Sequence, residues 1–376
     1  MVVMALDHAR YPYLTNLQFF PEDLKQTYLV LFLTRWITHY CAPLFFLLAG
    51  TGAFLSLSNG RTAKEVSDFL WKRGLWLVFL ELTIIAFAWS FNPMWRFGGV
   101  IWALGWSMVI MALIVRLPLR AIIVFALALI CLHDLTDSIK PDVFGNFSWL
   151  WKIIHSGGLI KIDALNPGFI ILYSIIPWVG IMALGFVSGQ ILTREETERR
   201  RWLLIIGGLM TLAFLVLRIT NLYGNPDSFQ AQETAEKTII AFLNVEKYPA
   251  SLQFTLMTVG PALMLLAWFD RFDYSSVFGW LGKKIVVFGR VPMFFYILHI
   301  FLLHILAIVV GLIFSQPVGW LFGARLPLIR QAPPEFGFNL PFIYLMTILT
   351  AVILYFPCKW FADLKKRRND WWLRYL

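Results

Sequence analysis

Apolar runs long enough to cross a bilayer recur from one end of this 376-residue chain to the other. Hydrocarbon offers backbone groups no water to bond with, so ~20 consecutive apolar residues are forced into a helix. The runs place spans at Tyr28–Leu57, Phe69–Phe91, Val100–Val115, Leu119–His133, Ile170–Leu192, Trp202–Ile219, Leu252–Phe269, Val291–Phe314 and Pro341–Phe361. A partial helix ending near His8 precedes them. Leu119–His133 is short and is expected to tilt or to thin the bilayer. Charged residues make up 14% of the chain against 59% hydrophobic, and a soluble domain needs far more polar surface. The alternation of a membrane β-barrel is absent. The expected class is all-α: a polytopic transmembrane helical bundle of about ten spans, the first incomplete, forming one integral-membrane domain over residues 1–376.

The opening Met-Val-Val-Met-Ala-Leu-Asp-His is too short to cross and lacks the basic start and cleavage site of a signal peptide. It reads as the last half of a first helix, the expectation being either a true start upstream or a clipped gene start. The net charge of +10 would raise nucleic acid as a partner in a soluble protein. Here the basic residues fall in every second loop: Arg61, Lys64, Lys72 and Arg73; Arg116 and Arg120; Arg194 and Arg199–Arg201; Arg271, Lys283 and Lys284; and Lys365–Arg368. The positive-inside rule reads those loops and the C-terminus as cytoplasmic, so no nucleic acid is needed to explain the charge. His8–Thr27 and the long loops Asp134–Pro167 and Asn221–Tyr248 then lie outside, with a helix expected over Ala231–Leu243 along the outer face. Cys41, Cys131 and Cys358 are far apart, which suggests neither a metal site nor a disulfide framework.

Ionisable residues inside a span cost about 2.5–3.5 kcal/mol each on insertion scales, so they face a polar interior. Arg35 and His39, four apart, share one helix face. His8, Asn92, Arg96, His133-Asp134, Arg218, Asn221, Tyr223 and Lys247-Tyr248 all fall at outer span ends. Together these residues could line one outward-facing cavity. Asp7 beside His8 resembles a general base with its orienting acid, although the 100° helical step also lets Asp7 pair with Arg10 or Arg35. Glu81, near mid-membrane, is expected to pair with an arginine. His299 and His304 are five apart, about 140° around a helix, and do not make a two-histidine metal face. Arg290 could hold a phosphate or snorkel to headgroups.

Several strings resemble a known family: Arg-Trp-Ile-Thr-His-Tyr-Cys-Ala-Pro (35–43), Lys-Arg-Gly-Leu-Trp-Leu (72–77), Ile-Trp-Ala-Leu-Gly-Trp-Ser-Met (101–108), Ile-Pro-Trp-Val-Gly-Ile-Met-Ala-Leu-Gly (176–185), Lys-Tyr-Pro-Ala-Ser-Leu (247–252) and Phe-Gly-Arg-Val-Pro-Met-Phe-Phe-Tyr (288–296). They resemble the bacterial DUF1624 proteins, which are similar to the catalytic region of heparan-α-glucosaminide N-acetyltransferase. From the residue spacings no metal is expected; the resemblance implies acetyl-CoA bound from the cytoplasmic side as co-substrate and an acetyl group delivered to an outer acceptor. It also implies an active histidine near the first outer segment. The nearest match is His8 with Asp7, and His39 competes.

The expected function is therefore a multi-pass acyltransferase of a bacterial inner membrane, acting on an amine or hydroxyl of a sugar-type acceptor. Catalysis would rest on His8, His39 and Asp7. Acceptor contacts would come from Arg35, Arg218, Asn221, Lys247 and His299, and CoA-phosphate contacts from Arg290, Lys72 and Arg73. Expected partners are membrane lipid, acyl-CoA, a glycan or small-molecule acceptor, and a second copy in a homodimer. A proton-coupled transporter or exporter of an envelope metabolite is the alternative that the same buried charges allow.

Overall fold

The computed structural model describes residues 1–14, 19–94, 96–162, 165–271, 277–323, 332–368 and 370–375. Of the expected outer segment His8–Thr27, residues 15–18 lie outside the described ones, as do 163 and 164 of the loop Asp134–Pro167. Eight described helices are long and apolar enough to cross a membrane, and Val100–Ile114 is a shorter apolar helix. In chain order the helices are α1 (Val2–Tyr13), α2 (Leu29–Ser58), α3 (Ala63–Ser90), α4 (Val100–Ile114), α5 (Leu119–Leu132), α6 (Ile175–Leu192), α7 (Glu196–Thr220), α8 (Ala235–Leu243), α9 (Leu252–Phe269), α10 (Val277–Arg290), α11 (Pro292–Ile313) and α12 (Leu340–Arg367).

Helices in lipid gain little from hiding apolar surface from one another, so close backbone approach does the joining. Helix α2 packs on α6 where a Cβ on Gly50 would lie 1.9 Å from the Met182 carbonyl oxygen, and one on Gly185 2.0 Å from that of Leu47. The Thr51 hydroxyl donates across the same seam to the Gly185 carbonyl at 2.9 Å.

Helices α2 and α3 change pitch inside their spans. In α2 the turn Ile37–Tyr40 tightens to 3₁₀. Pro43 has no N–H, so the His39 carbonyl loses its partner four residues on, and the turn tightens there. In α3 the turn Glu81–Ile85 widens to π. Glu81, fully buried, meets no arginine among the described residues: its carboxyl lies near the backbone amides of Gly99, Ile101 and Trp102 at the start of α4, without a hydrogen bond of ordinary geometry to them. The expected ion pair is replaced by amides, which the open turn before α4 leaves unbonded.

The expected span Ile170–Leu192 begins at Ile175. Residues Leu165–Ile171 instead form β3, antiparallel to β2 (Gly158–Ile162) and parallel to the short β1 (Phe97–Gly98). Short apolar runs read alike for helix and strand, and these are rich in β-branched isoleucine. Helix α10 was expected to be loop, because its glycines and lysines break the apolar run. The expected helix Ala231–Leu243 starts at Ala235, where the Thr234 hydroxyl accepts the Lys237 N–H.

Candidate functional site

The long-loop end of the bundle holds a cavity of about 490 Å³. Its wall is built by α1 (Arg10, Tyr11), the turn after it (Phe19–Glu22), α2 (Arg35, His39) and residues 244–248 before α9, with Leu172, Asn225 and Asp227 from the loops completing it. Buried ions tie α1 and the turn after it to α2. Arg35, 5% exposed, donates from Nη1 to both Asp7 oxygens at 2.8 and 2.7 Å and from Nε to Glu22 Oε1 at 2.6 Å. Arg10 donates to Asp7 as well. So Asp7 serves two arginines and does not orient His8.

His39 is 1% exposed and lines the cavity. Its Nε2 lies 3.6 Å from Glu22 Oε1, and neither ring nitrogen has a hydrogen-bond partner among the described residues. The Phe254 ring backs it at 5.6 Å. An imidazole held this way, beside a carboxylate and open to a cavity, can take a proton from a bound ligand. Glu22 lies in the loop outside the spans. Burial alone would raise its carboxyl pKa, but the Arg35 guanidinium and then the His39 ring overcome burial and hold it well below the ordinary carboxylate range. Tyr248, also in a loop, behaves similarly. Burial disfavours its phenolate, yet the Lys247 and Arg35 cations outweigh burial and pull the phenol below its usual value.

His8 stands apart from the cavity, in a crevice shared with Tyr11, Trp89 and His304. Its Nδ1 lies 2.7 Å from Nε2 of His299, with the rings stacked at 4.9 Å. His299 Nδ1 lies 2.8 Å from the Phe295 carbonyl, which can only accept. In the neutral pair the protons are therefore fixed: His299 donates from Nδ1 and accepts at Nε2, so His8 donates from Nδ1 and keeps a lone pair on Nε2. Tyr11 lines both the crevice and the cavity.

The other sequence candidates lie elsewhere. Arg218, 2% exposed, donates to the carbonyls of Phe242, Asp227, Ala241 and Asn244. It ties the end of α8 to the loop and does not line the cavity. Asn221 ends α7 in the left-handed region and exchanges two hydrogen bonds with the Phe229 backbone. His299 is fully buried behind His8. His133 and Asp134 form a separate group with Thr136, Asp137 and His155. Lys72 and Arg290 are exposed at the opposite, basic end, where Arg73 lies half-buried over the Phe69 ring. Among the described residues no cluster of three histidine, cysteine or acidic side chains could hold a metal ion. Glu22 escaped the sequence reading. Phe-Phe-Pro-Glu-Asp reads as an ordinary turn, and only the return of the chain over α2 puts the carboxylate beside His39.

The family described as heparan-alpha-glucosaminide N-acetyltransferase, catalytic, matches residues 1–218, more than half of the chain. The matched stretch contains Asp7, His8, Glu22, Arg35 and His39, while Lys247 and His299 lie beyond it. No curated protein matches the chain.

Proposed function

The chain belongs to the heparan-alpha-glucosaminide N-acetyltransferase catalytic family of membrane acetyltransferases, and on that premise we propose that it carries acetyl from acetyl-CoA to an amine or hydroxyl of a sugar-type acceptor on the outer face. The cavity at the long-loop end, with His39 and Glu22 in its wall, is the observation that supports this reading. The acceptor nitrogen or oxygen attacks the thioester carbonyl carbon while His39 takes its proton. The C–S bond then breaks, and the thiolate of CoA recovers that proton from the imidazolium. Arg35 fixes Glu22, and the Glu22 charge, 3.6 Å from Nε2, favours the charged form of the imidazole during transfer. Lys72, Arg73 and Arg290 at the basic end are the groups we assign to CoA phosphates, with that end and the C-terminus in the cytoplasm of a bacterial cell.

The test incubates purified, detergent-solubilised protein with acetyl-CoA and an amino sugar. It follows free thiol and product mass for the wild type, His39→Gln and His8→Gln. The expected result is acetyl-CoA-dependent product in the wild type and a loss of at least about a hundredfold in His39→Gln, the scale of general-base catalysis. A folded sample that neither binds nor consumes acetyl-CoA would overturn the proposal in favour of transport.

A further inference from the structure

Among the described residues Lys247 is a cation of the cavity wall that makes no ion pair. It is 6% exposed and lines the cavity. Among the described residues no carboxylate oxygen comes within 4 Å of its ammonium and no hydrogen bond holds it. Asp227 also lines the cavity, the Asp7 charge reaches Lys247 only from beyond 4 Å, and the other nearby acids are engaged elsewhere. Glu22 and Asp7 bond Arg35, and Glu246 accepts the Tyr248 N–H at 2.8 Å. What Lys247 does have is two ring faces, Tyr173 at 5.8 Å and Tyr248 at 5.1 Å. Ring faces stabilise an ammonium less than a contacting opposite charge does, and among the described residues Lys247 has no such contact. The Tyr248 hydroxyl lies 3.5 Å from Arg35 Nη2, so two cations flank one phenol at the cavity wall. The fold has placed a positive, partly desolvated point where a ligand enters.

We propose that Lys247, held between Tyr173 and Tyr248, is an oxyanion subsite, and that the acceptor carries a carboxylate or phosphate close to the group that is acetylated. This rests on the acetyl-transfer reading only for the word acceptor. The subsite itself is a binding claim. A sugar acid or sugar phosphate entering the cavity would supply a contacting counter-ion, and its neutral counterpart would not.

The experiment uses the full chain in detergent. It measures the shift in thermal unfolding, without acetyl-CoA, produced by glucosamine, glucosamine 6-phosphate, glucuronic acid and inorganic phosphate. It repeats the series for Lys247→Met and Lys247→Arg. The expected result is that the two acidic sugars bind the wild type at least about tenfold more tightly than glucosamine, that Lys247→Met abolishes the difference and that Lys247→Arg keeps most of it. Equal binding of neutral and acidic sugars by folded wild type overturns the proposal, and this comparison needs no variant. So does a preference that survives Lys247→Met, or inorganic phosphate alone binding as tightly as the sugar phosphate. A chain that selects acidic sugars but never consumes acetyl-CoA would sink the acetyl-transfer reading and leave the subsite standing.

Discussion

Arg35 is the residue on which the site turns, because it is the shared partner of two carboxylates from different segments. Arg35→Met would leave Glu22 without its ion pair and Asp7 with Arg10 alone, and breaking one side of a buried pair costs about 3–5 kcal/mol. We expect that loss in unfolding measurements, with the cavity collapsing at the same time. Glu22 gives a pH signature. Its pKa in the folded protein is lowered, so the unfolded chain binds a proton first as the solution is acidified. The stabilisation is complete above the ordinary carboxylate pKa of about 4.3 and is lost as pH falls through and below it. Glu22→Gln should therefore lower the unfolding temperature near neutrality and flatten the acid-side decline of the wild type. An unchanged acid limb in the variant would show that other carboxylates set it. At His299, replacement by Phe strands the His8 Nδ1–H, a loss of about 1–3 kcal/mol. Gln offers an acceptor and should recover part of it.

At the scale of the element, the α2–α6 seam is set by glycine rather than by side-chain bulk. Gly50→Val drives a Cβ into backbone that cannot rotate away, and overpacking of this kind costs about 1–3 kcal/mol or more. Gly52, two residues on in the same helix, has open space around it, and Gly52→Ala should be neutral or stabilising by up to about 1 kcal/mol. Comparing unfolding temperatures of the two variants separates contact from helix propensity. The pitch changes in α2 and α3 answer to different causes. The 3₁₀ turn follows from Pro43, which the sequence shows openly. The π turn at Glu81 has no signature in the run Leu-Glu-Leu-Thr-Ile-Ile, and only the amides of α4 explain where that carboxylate points.

For the whole molecule, the proposed orientation predicts that a cysteine introduced at Lys366 reacts with an impermeant maleimide only from the cytoplasmic side, and one at Asn225 only from outside. The reverse pattern would invert the topology and move the cavity to the cytoplasm. The helix positions were largely legible in the chain. Long apolar runs leave hydrocarbon-embedded backbone one solution, and the span Leu252–Phe269 is found with the bounds its sequence suggests. Arg35 and His39 were legible for the same reason, since a charge inside such a run must face something polar. The sheet around Leu165–Ile171 was not, because a short apolar run carries no period that separates strand from helix. The sequence alone determined the spanning helices and which residues were out of place in them. Tertiary structure decided their partners: Asp7 with two arginines, His8 with His299, Arg218 with four carbonyls, and Glu22 beside His39. Apart from Asp7 with Arg10 within α1, these pairings join residues from separate segments, up to 291 positions apart, and ion pairs and hydrogen bonds act over a few ångströms of space, not along the chain.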